Sequence, residues 1–73
     1  MEDLIIEVFK TTIGSKQIGQ KIVDTINDLF PGSKTNIDFE DCDKILRIEG
    51  RNFEVNSIVQ LVNDSGYHCE ILE

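Results

Sequence analysis

Basic residues are scarce in this sequence. Seven lysines and arginines stand against fourteen aspartates and glutamates, a formal net charge of −7 over 73 residues. Lys10, Lys16, Lys21, Lys34, Lys44, Arg47 and Arg51 are scattered and not gathered into a stripe. A nucleic-acid partner needs a basic footprint to neutralise phosphates, so none is expected. The acidic balance favours basic partners or cations instead. Long apolar runs are missing too, and none approaches the ~20 residues of a membrane-spanning helix. No signal-peptide pattern or terminal lipidation motif is read, so a cytoplasmic location is expected, with no membrane partner. Cys42 and Cys69 are the only cysteines and His68 the only histidine. Two cysteines are no disulfide framework. A chain of this length makes one small domain, residues 1–73, which buries roughly 60% of its unfolded-chain surface. Two packed layers fit such a core; a deep substrate cavity does not.

What is present is a clear succession of periodic segments. Residues 4–12, "LIIEVFKTT", are rich in β-branched and aromatic side chains and predict a strand. Ser15 can cap a helix in which Ile18, Ile22, Ile26 and Leu29 recur every three to four residues. Pro31-Gly32 ends it. Residues 34–40 and 45–50 alternate apolar and polar residues around the short "DCDK" turn, the pattern of a hairpin. Asn52 can cap a second helix carrying Val55, Ile58, Val59 and Val62, which Gly66 stops. Residues 68–72, "HCEIL", predict a last strand. The order βαββαβ is the ferredoxin-like α+β plan: a four-stranded antiparallel sheet, order 4-1-3-2, with both helices on one face.

One stretch has the look of a nucleotide loop. In "IGSKQIGQK", residues 13–21, Gly14 and Gly19 are spaced as in G-x-x-x-x-G-K-[ST]. Gln20 holds the position of the essential lysine, and Lys21 comes one residue late. A phosphate loop also needs a parallel sheet larger than this chain can build. Gly19 is better explained as letting the first helix approach the sheet, or as a glycine that is simply tolerated.

With this element order, the chain resembles a heavy-metal-associated domain, the fold of small copper chaperones and of the amino-terminal modules of copper-pumping ATPases. The resemblance spans nearly the whole chain. It is strongest at "SIVQLVNDSGYHCEIL", residues 57–72, and good at "LFPGSKTNIDFED", residues 29–41. It is nearest to a divergent branch with "VFKT" in the first strand and "DCDKILR" in the hairpin. The family's metal site is M-x-C-x-x-C in the loop between the first strand and the first helix. The resemblance puts Ile13 at the Met position, Ser15 and Ile18 at the two Cys positions, and Tyr67 at the aromatic that flanks the loop in bacterial members. No register places a cysteine there. Soft copper(I) prefers thiolates, so the resemblance implies the frame of the site without its ligands.

The two cysteines do not rebuild it. Cys42 sits in the hairpin turn and Cys69 near the last strand, on opposite edges of the sheet. Three strand spacings, about 14 Å, separate those edges, against a disulfide limit of about 7 Å. Cys69 alternates with Ile71 and is expected in the core. Cys42, flanked by Glu40, Asp41 and Asp43, is at most a weak metal candidate, and its neighbours disfavour thiolate. His68 has no partners for a metal site or a catalytic set, so no enzyme is expected.

Alternation then divides the sheet. Ile6, Val8, Ile37, Phe39, Leu46, Ile48, Cys69 and Ile71 are assigned to the helix-covered face, because the opposite register would bury the Glu7 carboxylate. The open face would carry Ile5, Phe9 and Ile45 as an apolar patch, with Glu7 and Arg47 paired beside it. The expectation is a non-enzymatic cytosolic interaction module without a cofactor, binding a protein partner or a second copy through Ile5, Phe9, Ile45 and Arg47. The alternative is a metal-ion binding or transport protein using Cys42 or an intermolecular thiol site.

Overall fold

A computed structural model describes residues 4–40 and 44–72. The fold is ferredoxin-like α+β. Its elements run β1 (Ile5–Thr11), α1 (Lys16–Leu29), β2 (Lys34–Asp38), β3 (Ile45–Gly50), α2 (Val55–Asp64) and β4 (Cys69–Ile71). The strands form one antiparallel sheet in the order β2-β3-β1-β4, which is 4-1-3-2 read from the other edge.

The helix ends follow from local chemistry. At the start of α1 the Ser15 hydroxyl accepts from the Ile18 N–H at 3.3 Å, satisfying one of the amides that a helix start leaves unpaired. After α1, Phe30-Pro31-Gly32-Ser33 forms a type II turn. Proline occupies its second position, Gly32 its third with φ +92°, and the Ser33 N–H donates to the Phe30 carbonyl at 3.1 Å. At the end of α2, Gly66 has φ +94° and donates to the Asn63 carbonyl, while Tyr67 donates to that of Val62. This is the paired arrangement of a Schellman motif.

The start of α2 differs from the sequence expectation. Glu54, not Asn52, is the N-cap, and its side chain makes no cap hydrogen bond. The reason is Phe53, which is buried in the core. Phe53 and Ile58 occupy the N′ and N4 positions of a hydrophobic staple and share one apolar cluster. The helix is therefore fixed at its entry by an apolar residue.

The core lies between the helices and one sheet face. Phe9, Ile13, Ile26, Leu46, Ile48, Ile58 and Val62 are fully buried there. Ile37 and Phe39 pack against it, as alternation predicts for β2. For β1 the expected register is overturned. Phe9 is 0% exposed and sits opposite Leu46, while Ile6 is 46% exposed. Odd-numbered residues of β1 thus face the helices, and Ile6 and Val8 face outward.

The reason is graded cover along the strand. β4 pairs with β1 only at Phe9, Lys10 and Thr11. Among the described residues, the first half of β1 has β3 on one side and no strand on the other. On the helix face, exposure falls from Ile5 at 42% through half-buried Glu7 to Phe9 at 0%. Glu7 can share a face with Phe9 because that face is not sealed at its position.

Candidate functional site

Four parts of the chain meet at one end of the sheet: the β1–α1 loop, the end of β2, the start of β3 and the α2–β4 loop. Their polar side chains tie them together. The Thr11 hydroxyl is buried, donates to the Lys44 carbonyl at 2.7 Å and accepts from the Ile13 N–H at 3.2 Å. The Thr12 N–H donates to the His68 carbonyl at 3.1 Å, and the His68 N–H donates to the Thr12 hydroxyl at 2.9 Å. The Lys44 ammonium donates to the Phe39 carbonyl at 3.0 Å. Strand ends that would otherwise fray are joined by side chains of β1 and its loop.

Ile13, Ser15, Ile18 and Tyr67, singled out by the resemblance, all lie at or near this end. Ile13 is fully buried. Ser15 caps α1 through its hydroxyl. Ile18 is 37% exposed and offers no donor atom. Tyr67 is half-buried against the core cluster. Cys42 lies outside the described residues. Among the described residues, no three histidines, cysteines, aspartates or glutamates are grouped so as to hold a metal ion.

Cys69 and His68 are neighbours with different surroundings. Cys69 is 5% exposed in the core and a free thiol. Burial first, and the adjacent Glu70 charge second, push its pKa up to about 11. At neutral pH this thiol holds its proton and is not a nucleophile. The His68 imidazole is exposed and lies 3.7 Å from the Glu70 carboxylate.

The open face is assembled by the strand registers. One row across it runs Leu72, Val8, Arg47, Asn36, with the Leu72 N–H donating to the Val8 carbonyl. The next row runs Glu70, Lys10, Ile45, Asp38, and the row on the other side runs Ile6, Glu49, Lys34. Apolar Ile6, Val8, Ile45 and Leu72 therefore lie among charges of both signs. Ile45 and Arg47 are on this face as the sequence predicts. Phe9 is not, and Ile5 points to the helix side; both leave the proposed patch because β1 is turned by one residue. Ile6 and Val8 take their place, beside Leu72, which the sequence already set on this face. The missed signal was Ile13, the apolar residue after the strand that shares its parity with Phe9 and Thr11.

A second surface was not foreseen. A cleft of about 390 Å³ runs between α1 and β2, lined by Gly19, Val23, Asn27, Thr35, Ile37 and Phe39 among others. Gly19 is what lets the helix come this close: a Cβ there would stand 2.5 Å from Phe39 Cζ and 3.2 Å from Ile37 Cδ1. Asn27 Oδ1 and Thr35 Oγ1 are buried beside it without a hydrogen-bond partner. No helix among the described residues is long and apolar enough to cross a membrane. Compared with known proteins, this chain matches no family model, no curated protein and no solved structure.

Proposed function

We propose that this chain is a non-enzymatic interaction module of the heavy-metal-associated type, whose metal loop has become a structural cap and whose open sheet face docks a protein of net positive charge. The observation that carries this reading is the open face itself: Ile6, Val8, Ile45 and Leu72 set among Lys10, Arg47, Glu49 and Glu70. An apolar centre with a charged rim is the composition of a protein interface. The net charge of −7 supplies long-range attraction for a basic partner. The loop end supports the same reading, because its polar groups are engaged with the fold. The Ser15 oxygen holds a helix amide, and the Thr11 and Thr12 hydroxyls hold neighbouring strands. The buried, protonated Cys69 offers no nucleophile. A cytoplasmic location belongs to this reading.

The test is site-specific photo-crosslinking in cells from position 47 on the open face, with position 64 on α2 as the reference. The expected result is a basic protein captured from 47 and not from 64. Once purified, that protein binds the wild type and binds Val8→Asp at least tenfold more weakly, while the variant stays folded. Equal capture from both positions, or equal affinity for Val8→Asp, overturns the docking surface. Native mass spectrometry with copper(I) and zinc tests the other half. One ion retained per chain against a strong chelator, and lost in Cys42→Ser, makes the protein a metal handler instead.

A further inference from the structure

Among the described residues, no strand lies beyond the outer edge of β2. An edge strand presents alternate backbone N–H and C=O groups with no ladder partner, and proteins blunt such edges with short strands, charged side chains, proline, bulges or cover. β2 is short and carries Lys34 and Asp38, but its ladder is undisturbed. Its five residues pair with β3 in unbroken register, and they contain no proline and no positive φ. On its helix side lies the α1–β2 cleft, where Asn27 Oδ1 and Thr35 Oγ1 are buried and unpartnered within one copy.

The sequence of the strand says what that partner is. Written out, β2 is Lys34-Thr35-Asn36-Ile37-Asp38. Laid antiparallel on itself about Asn36, it sets Lys34 opposite Asp38 of the second copy, and Asp38 opposite Lys34 of the second copy. Thr35 then meets Ile37 of the second copy on the helix side, and Asn36 meets Asn36. Opposite charges directly across an antiparallel pair stabilise it, and like charges oppose it. The strand is thus complementary to itself in charge and in face.

We infer that this edge is a self-association surface: β2 pairs antiparallel with β2 of a second copy about a two-fold axis, joining two four-stranded sheets into one. A two-fold contact uses the same patch on both copies, as this one does. The reading goes beyond the docking face above and does not depend on it, because the pairing leaves the open face uncovered. A five-residue strand pair is a small interface, and two chains of charge −7 repel at long range. The dimer is therefore weak and is favoured at ionic strengths that screen the repulsion, where the Debye length is ~8 Å or less.

The test is sedimentation equilibrium of the full chain at 0.15 M salt, up to millimolar concentration, with two charge variants. Lys34→Asp alone sets aspartate against Asp38 twice in its own dimer. Asp38→Lys alone sets lysine against Lys34 twice. Each should lose at least tenfold in self-association. Mixed one to one, the two variants restore both opposite-charge pairs and should form a heterodimer within about threefold of the wild-type affinity. Circular-dichroism melts confirm that each variant is folded, since Lys34 also faces Glu49 within its own sheet. A wild type that stays monomeric throughout overturns the proposal and leaves the edge to an extended segment of another protein. A wild-type dimer that is indifferent to both variants, or variants that do not complement, places self-association elsewhere and overturns it equally.

Discussion

On one side of β1, Phe9 and Thr11 are buried under the helices; on the other, Ile6 and Val8 face outward over an uncovered sheet. Val8 and Phe9 are adjacent in the chain and both apolar, so composition does not distinguish the two sides. What distinguishes them is which neighbours each side receives. The helix side collects Leu46 and Ile48 from β3, Cys69 from β4 and the apolar faces of α1 and α2. The open side collects Ile45 and Leu72 among Arg47, Glu49, Glu70 and Lys34, with no helix over them. Adjacent residues of one strand thus have different energetic roles, and substitution separates them.

The largest effect is expected at that boundary. Phe9→Ser removes a fully buried ring and leaves a hydroxyl in apolar surroundings, a loss of about 4 kcal/mol. That approaches the whole stability of a domain this small. Val8→Ser, half-buried on the open side, should cost about 1 kcal/mol. Urea melts of the two variants decide the matter. If Val8→Ser unfolds the protein and Phe9→Ser does not, the two sides of β1 are exchanged and the open face must be rebuilt.

A second effect belongs to the helix side of β4. Cys69 is buried there, and its thiol is raised from 9.0 to about 11. The folded state therefore holds this proton more tightly than the unfolded state does. The contribution is fully present below pH 9 and is lost as pH rises from 9 through 11, amounting to roughly 2–3 kcal/mol at 1.36 kcal/mol per unit. Stability measured from pH 8 to 11 should fall more steeply for wild type than for Cys69→Val. Parallel curves would mean that the thiol meets solvent and that β4 does not close the core.

Much of this architecture was legible beforehand. The element order follows from apolar spacing, from Pro31-Gly32 and from Gly66, each of which acts within a few residues of itself, and the strand order follows from the ferredoxin-like plan that this element order implies. Gly19 had two readings, a close approach of α1 to the sheet or a merely tolerated glycine, and its nearness to Phe39 decides for the first. What was not legible depends on distant parts of the chain. The facing of β1 depends on how far β4 extends alongside it, and β4 pairs with only three of its residues. The start of α2 depends on Phe53 reaching the core from outside the helix. In the β1–α1 loop the Ser15 cap could be foreseen, whereas the Thr11 and Thr12 bridges could not, because their partners Lys44 and His68 are far away in sequence.

Glu7 gives the finest test of the comparison between the two sides. The case for turning β1 the other way rested on this residue, since a carboxylate sealed in the core without a partner costs several kcal/mol. Its register partner, Ile48, is fully buried, so Glu7 does lie on the helix side. It is only half-buried, however, and two residues away Ile5 is 42% exposed. A long side chain at such a rim lays its methylenes on apolar surface and keeps its carboxylate in water. Glu7→Gln preserves those methylenes and removes only the charge. Its expected effect is within about 0.5 kcal/mol at neutral pH, the ordinary range for a solvated position. Urea melts at pH 7 in low and high salt measure it. A gain of 2 kcal/mol or more would show that the carboxylate is sealed beside Phe9, and that the cover over β1 is uniform and not graded.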